Sequence, residues 1–291
     1  MKISIISDQI NNDFTIAFPI IKQQGYKYVE LHNAFGKSIE ELNQEELNQI
    51  KESLKENQLE VSNIATTIFF LAPLFENYQV SLFSDEFKCI KGNVEKHLEY
   101  LENACHIAKE LNSKTIRVFP FRFPDNVQKI FGTASDIEQI VKYLKQAETI
   151  AKKHDITLVV ENCPYSHCPK GKMTYTIIKQ LNSNNIKLLW DPANSYRAEK
   201  HQVPTEYLDL TLNEELSLIH EEIGHIHLKN YNYDHNEQKP FVHQPLLYGD
   251  INFNQLINNL KKFNYQGFIS LEPEVDFENT ILSLQQLKEI I

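Results

Sequence analysis

Glycine is scarce in this chain of 291 residues: there are eight, and the closest two, Gly25 and Gly36, stand far apart. A dinucleotide-binding fingerprint, a Walker A loop and a nucleophile elbow each need glycines within a few residues of one another. None of the three can exist here. Cysteine is scarcer still, and Cys89, Cys105, Cys163 and Cys168 are too few to staple a chain of this length, so a reducing, cytoplasmic setting is expected. Basic charge is also short, with 29 Lys plus Arg against 39 Asp plus Glu and a formal net charge of -10. That balance repels a phosphate backbone, and no nucleic-acid partner is expected. No apolar run approaches the ~18 residues of a membrane span; the best, Ile68 to Leu74, is broken by Pro73. The start, Met1 to Asp8, meets an acidic residue at once and reads as a strand rather than a leader, so no membrane association is expected. Linkers and low-complexity tracts are missing too, which points to one domain over residues 1–291.

What is present is an alternation of short apolar runs with longer helical patterns, the signature of parallel βα units. Eight runs qualify as strands: Lys2–Ser7, Tyr26–His32, Glu60–Thr66, Thr115–Phe121, Ile156–Cys163, Ile186–Asp191, His225–Lys229 and Phe268–Glu272. Between them, Val94, Leu98, Leu101, Cys105 and Ala108 step by threes and fours, as do Ile137, Ile140, Val141, Leu144 and Ala147. Pro19 falls inside the first helical pattern, where it should kink or delay the helix. Helix-to-strand connections are short; the strand-to-helix ones are long, notably from Ile68 to Asp85, Pro192 to Val203 and Asn230 to Gly249. A length near 290 fits a (βα)8 barrel of ~250 residues with a few long loops on its C-terminal face. An open doubly wound sheet is the alternative.

Strands of such a barrel are buried on both faces and should be almost wholly apolar. Several of these end in groups that are costly to bury unless paired or bound. Strand five ends Glu161-Asn162, strand six Trp190-Asp191, strand seven runs His225-Ile226-His227-Leu228-Lys229, and strand eight ends Leu271-Glu272-Pro273-Glu274. Three carboxylates and an imidazole converging on one point need a compensating positive charge. A divalent cation supplies it most directly, and an oxygen-rich set with one nitrogen suits Mn²⁺, Mg²⁺ or Co²⁺ better than a structural Zn²⁺. The alternative is four separate ion pairs or caps. By alternation, Glu30 and Arg117 also face the interior, either as a structural pair or as substrate-binding residues. Lys229 follows His227 in phase and could hold a phosphate or neutralise an enediolate.

These segments carry a resemblance. Glu161-Asn162, Trp190-Asp191-Pro192-Ala193-Asn194, Ile226-His227-Leu228-Lys229-Asn230 and Ser270-Leu271-Glu272-Pro273 resemble the sugar phosphate isomerase/epimerase family of xylose isomerase-like TIM barrels. Gly25 to Leu31 and Tyr248 to Phe253 extend the likeness over the whole chain. The resemblance implies a single (βα)8 barrel whose metal ligands are Glu161, Asp191, His227 and Glu272, with His225 as a deeper residue. It implies one divalent ion, Mn²⁺ ahead of Mg²⁺, Co²⁺ or Zn²⁺, and a small sugar-like substrate. Glu161 and Glu272 become the acid–base pair of an isomerase or epimerase working through an enediolate. Glu30, Arg117, Asn194, Lys229 and His167 become the substrate-binding candidates. Asn194 and His167 depart from the ketose 3-epimerase branch, which has His and Glu there, so the precise ketose is left open. A dehydratase or lyase of the same enolate type and a non-catalytic sugar-binding barrel remain as alternatives. An endonuclease IV-type activity is disfavoured, because strands three and four end in Ala65-Thr66-Thr67 and Phe119-Pro120-Phe121 rather than in His. Cys163 to Pro169 reads as a loop rather than a zinc module. Tyr231, Tyr233 and Tyr248 either stack on a sugar or pack the seventh loop, and a homodimer is the assembly to test.

Overall fold

A computed structural model describes residues 1–82, 84, 87–198, 203–236 and 239–291; Asp85, the end of the first long connection, lies outside them. All eight strands form: β1 (Lys2–Ile5), β2 (Tyr28–Leu31), β3 (Glu60–Ile64), β4 (Thr115–Val118), β5 (Thr157–Glu161), β6 (Ile186–Trp190), β7 (Ile223–Leu228) and β8 (Phe268–Leu271). Their order in the sheet is β1-β8-β7-β6-β5-β4-β3-β2, every pairing is parallel, and an Ile6–Glu30 bridge closes the ring. The sheet is therefore a closed barrel, and the doubly wound alternative falls.

Most of the strands are one to three residues shorter than the apolar runs, and two of the differing boundaries have clear local reasons. β4 stops at Val118 because Pro120 has no amide to give the ladder and Phe121 sits at φ 60. β7 begins earlier, at Ile223, because Gly224 lets the backbone close on β6; a Cβ there would stand 2.7 Å from the Lys187 Cβ.

The helices follow as α1 (Phe14–Gln23), α2 (Gln44–Asn57), α3 (Val94–Glu110), α4 (Ala134–Lys153), α5 (Gly171–Leu181), α6 (Pro192–Arg197), α7 (Leu212–Ile219), α8 (Phe253–Lys262) and α9 (Phe277–Ile290). Side chains cap their first turns: the Asp13 carboxylate accepts from the Thr15 amide, and Asn43 with Glu46 and Thr133 with Asp136 form reciprocal boxes. Pro19 does not delay α1. It lies on the exposed face, so the carbonyl it leaves unserved is turned to water. In α4 the expected stripe of Ile137, Ile140, Val141, Leu144 and Ala147 is buried against the barrel.

Inside the barrel, the inward positions are more polar than strands buried on both faces would suggest. Ser4 and Ser62 share a hydrogen bond of 2.7 Å near the bottom. Above them Ser270, His225, Glu30 and Asn63 form one connected chain with links of 2.9, 2.8 and 2.7 Å. These links make the burial of the chain tolerable, although Asn63 Oδ1 and His225 Nδ1 are left without a partner. At the C-terminal mouth the 68–90 connection packs Phe70, Leu71 and Phe87 over Phe119, and a hairpin of Asn230–Tyr233 with Phe241–Gln244 rises on the other side. Among the described residues no helix is long and apolar enough to cross a membrane.

Candidate active site

Glu161 is the last residue of β5, and Asp191 follows β6, its Oδ1 capping α6 by accepting from the Asn194 amide at 2.9 Å. His227 is the penultimate residue of β7, and Glu272 follows β8, tied by its amide to the Leu228 carbonyl at 2.9 Å. One ligand atom from each of the four lies within 4.8 Å of all the others. His227 Nδ1 stands 3.7 Å from both Glu161 Oε1 and Glu272 Oε2. Asp191 and His227 are fully buried, and Glu161 nearly so.

Two cations are woven into this cluster. Arg117 Nη1 donates to Glu161 Oε2 at 3.0 Å and stands 3.9 Å from Glu272 Oε1. Its remaining nitrogens donate to the Thr66 and Ala65 carbonyls, so the guanidinium is held rigidly from β3's end. Lys229 Nζ lies 2.6 Å from Glu272 Oε2, 3.0 Å from Asp191 Oδ2 and 3.2 Å from Glu274 Oε1.

The charges bias one another strongly. Burial would raise the Glu272 pKa, but Lys229, His227 and Arg117 hold it well below the usual carboxylate range. Burial would lower that of His227, but Glu30, then Glu161 and Glu272, hold it well above the usual imidazole range. Asp191 goes the other way: burial, reinforced by Glu161 and Glu272 and only partly offset by Lys229, pushes it up to about 6.

The donor set accommodates a divalent ion. His227 Nδ1 and Asp191 Oδ2 are buried and have no hydrogen-bond partner; Lys229 reaches the latter only as an ion pair. Ligands at 2.0–2.6 Å on opposite sides of an ion stand roughly 4–5 Å apart, which matches the spread of the four atoms. Burial first, and then the neighbouring Glu161 and Glu272 carboxylates, raise the Asp191 pKa, and an added cation would offset both.

Glu30 stands deeper than the pocket. Its Oε1 accepts from His227 Nε2 at 3.0 Å and from Asn63 Nδ2 at 2.7 Å, and its Oε2 from His225 Nε2 at 2.8 Å, so its partners are the two imidazoles and the Asn63 amide. Of the two alternatives for these residues, a Glu30–Arg117 pair does not form: Arg117 pairs with Glu161 instead. His225 is fully buried, below His227. Asn194 does face the cluster, donating to Glu161 Oε1 at 3.3 Å. His167 does not. Its ring is fully buried 3.8 Å from Asp136, in a box of Tyr78, Phe123 and Phe131. Tyr231 is buried and lines the pocket, whereas Tyr233 and Tyr248 point outward. The four cysteines are free thiols. Glu274 and Arg197, which strand-end reasoning passed over, line the same pocket of about 510 Å³. Glu274 was readable from its spacing, two residues beyond Glu272; Arg197 carried no such signal.

Comparison with known proteins agrees with this architecture. The model of the xylose isomerase-like TIM barrel family matches residues 18–290. An uncharacterised protein of Methanocaldococcus jannaschii is 25% identical over 234 residues, spanning 77% of this chain and 74% of its own. The probable 3-DHS dehydratase AsbF of Bacillus anthracis superposes with a TM-score of 0.69 at 18% identity, over 99% of both chains. D-psicose 3-epimerase of Clostridium cellulolyticum superposes with a TM-score of 0.72 at 12% identity, over 99% of this chain and 97% of that one. At such identities these two structures share the fold.

Proposed function

We propose that this chain, which belongs to the xylose isomerase-like TIM barrel family, is a divalent-metal-dependent isomerase or epimerase of a sugar or related hydroxy-ketone. One observation carries the reading. Glu161 and Glu272 reach the same pocket from β5 and from the end of β8, either side of a single Arg117 nitrogen at 3.0 and 3.9 Å. Moving a proton next to a carbonyl needs a base where the proton leaves and an acid where it returns. One carboxylate accepts the proton from carbon, leaving an enediolate. The other glutamate, in its protonated carboxylic acid form, gives its proton to the neighbouring carbon or to the opposite face and becomes the carboxylate.

The surrounding residues serve that transfer. Arg117 holds Glu161 in place and adds positive charge between the two carboxylates. Lys229, beside Glu272, places an ammonium where negative charge grows on the substrate oxygens. Glu30 engages His227 Nε2 and leaves Nδ1 facing Glu161 and Glu272, each 3.7 Å away, the arrangement that orients an imidazole ligand. Glu161, Asp191, His227 and Glu272 would hold the ion, Mn²⁺ in first place on the donor set, and it would supply Lewis-acid polarisation of adjacent oxygens.

The test is a panel of ketoses and keto-polyols with Mn²⁺-supplemented protein in D₂O, followed by proton NMR. The reading expects one carbon-bound proton to wash out of one substrate. A ligand that binds tightly yet exchanges no proton over hours would contradict it and leave a sugar-binding barrel.

A further inference from the structure

We propose that Arg197 forms an oxyanion subsite, so that the substrate of this pocket carries a phosphate or carboxylate remote from the carbons being rearranged. The inference rests on the isomerase reading above and narrows its substrate class. Arg197 ends α6, the short helix that Asp191 caps, so one of the four candidate ligands and the guanidinium are carried by the same helix. Both Arg197 and the carboxylates Glu161 and Glu272 line the one pocket, whose volume suits a molecule of sugar phosphate size.

The surroundings of this guanidinium are unusual for a half-buried cation. Its Cζ lies 5.0 Å from the Tyr165 ring centroid, 5.8 Å from that of Tyr231 and 5.9 Å from that of Phe241. One nitrogen donates to the Tyr165 hydroxyl. Among the described residues, no carboxylate lies within ion-pair distance of it. The two other cations deep in the pocket are matched, Arg117 by Glu161 and Lys229 by Asp191, Glu272 and Glu274. Aromatic faces hold the Arg197 fork in orientation and partly offset its desolvation, but neutral rings and phenols cannot neutralise it. A planar fork fixed in a pocket wall without an anion is preorganised for bidentate contact with a carboxylate or phosphate. Lys239, exposed at the same rim, adds a second positive charge to the approach.

The test compares matched ketoses with and without an anionic group. D-fructose, D-fructose 6-phosphate and D-fructuronate are offered to the Mn²⁺-supplemented wild type, Arg197→Met and Arg197→Lys, with exchange in D₂O read by NMR. Inorganic phosphate and malonate are titrated calorimetrically into the same three proteins, whose melting temperatures report folding. The subsite predicts that an anionic ketose is preferred and that Arg197→Met cuts this preference by about a hundredfold or more, chiefly through KM. Arg197→Lys, which keeps charge but not the fork, should retain part of it. Whichever anionic ketose is preferred identifies phosphate or carboxylate as the group recognised. Exchange that favours D-fructose, or a preference that survives Arg197→Met in folded protein, overturns the subsite while leaving the isomerase reading intact. Phosphate or malonate binding lost in Arg197→Met, with no exchange on any ketose, supports the subsite and defeats the isomerase reading. Neither anion binding nor exchange defeats both.

Discussion

At the scale of single residues, Lys229 decides how the cluster behaves. Its ammonium shares Asp191 and Glu272 with any ion held there, so it competes electrostatically for two of four ligands. Lys229→Met should therefore raise Mn²⁺ affinity by about tenfold or more while lowering turnover, since unit charges a few ångströms apart interact strongly in a buried site. Mn²⁺ titration followed by electron paramagnetic resonance reads the affinity without any substrate. An unchanged or weaker affinity would mean that the ammonium supports the ion instead of opposing it. Legibility in the sequence also varied residue by residue. Charged groups ending apolar runs stand out, which is why Glu161, Asp191, His227 and Glu272 were readable. Alternation told that Glu30 and Arg117 face inward but not what lies across the barrel from them. The register shift between Val29 and Glu30, with the stagger of a closed sheet, brings Glu30 opposite His225 and His227.

At the scale of elements, the eight βα units were legible from periodicity because parallel strands and their helices obey different repeats. The loops were not. Phe69 and Phe121 take positive φ and re-aim the chain in ways no hydrophobic pattern encodes. The His167 amide then binds the Phe121 carbonyl at 2.9 Å, and its ring is drawn into a box away from the site. The first of these turns is pinned by His97 of α3, whose Nδ1 accepts from the Phe69 amide at 2.9 Å. Burial holds the His97 pKa down to about 4. An unfolded histidine near 6.5 takes up a proton that the folded one refuses, so stability is complete above ~6.5 and falls as pH drops from there towards about 4. By pH 5 this amounts to roughly 2 kcal/mol. His97→Asn keeps an acceptor but cannot titrate. Urea unfolding at pH 7 and pH 5 should show the variant losing less stability between the two than wild type, by roughly that amount. Equal losses would remove His97 from the acid response.

At the scale of the whole molecule, a net charge of -10 is set against a pocket lined by Arg117 and Lys229 at depth and by Arg197 and Lys239 nearer its rim. If the clustered carboxylates at the barrel's end hold an ion, stability should respond to cations. Mn²⁺ at a hundredfold excess over its dissociation constant should stabilise the native state by ~2.7 kcal/mol. Chelation should lower the melting temperature accordingly, and Asp191→Asn should abolish most of that response. A melt indifferent to both chelator and Mn²⁺ would mean that Arg117 and Lys229 alone balance the cluster. The barrel was foreseeable from length, periodicity and loop asymmetry together, because one arrangement puts every long connection on one face. The polar chain through its interior was not, since each of its members reads as an isolated exception to an apolar strand.

The central claim is that Glu161 and Glu272 move protons on carbon, and solvent deuterium exchange tests it most directly. Once a substrate is in hand, Glu161→Gln and Glu272→Gln are compared with wild type in D₂O at saturating Mn²⁺, with substrate and product both followed by NMR. Each glutamine keeps the shape and an oxygen but cannot accept a proton, so turnover should fall by ~10²–10⁴-fold in both. The variant lacking the first base should lose exchange from the substrate, whereas the other should keep that exchange and lose return to product. Wild-type exchange rates in both variants would contradict the account.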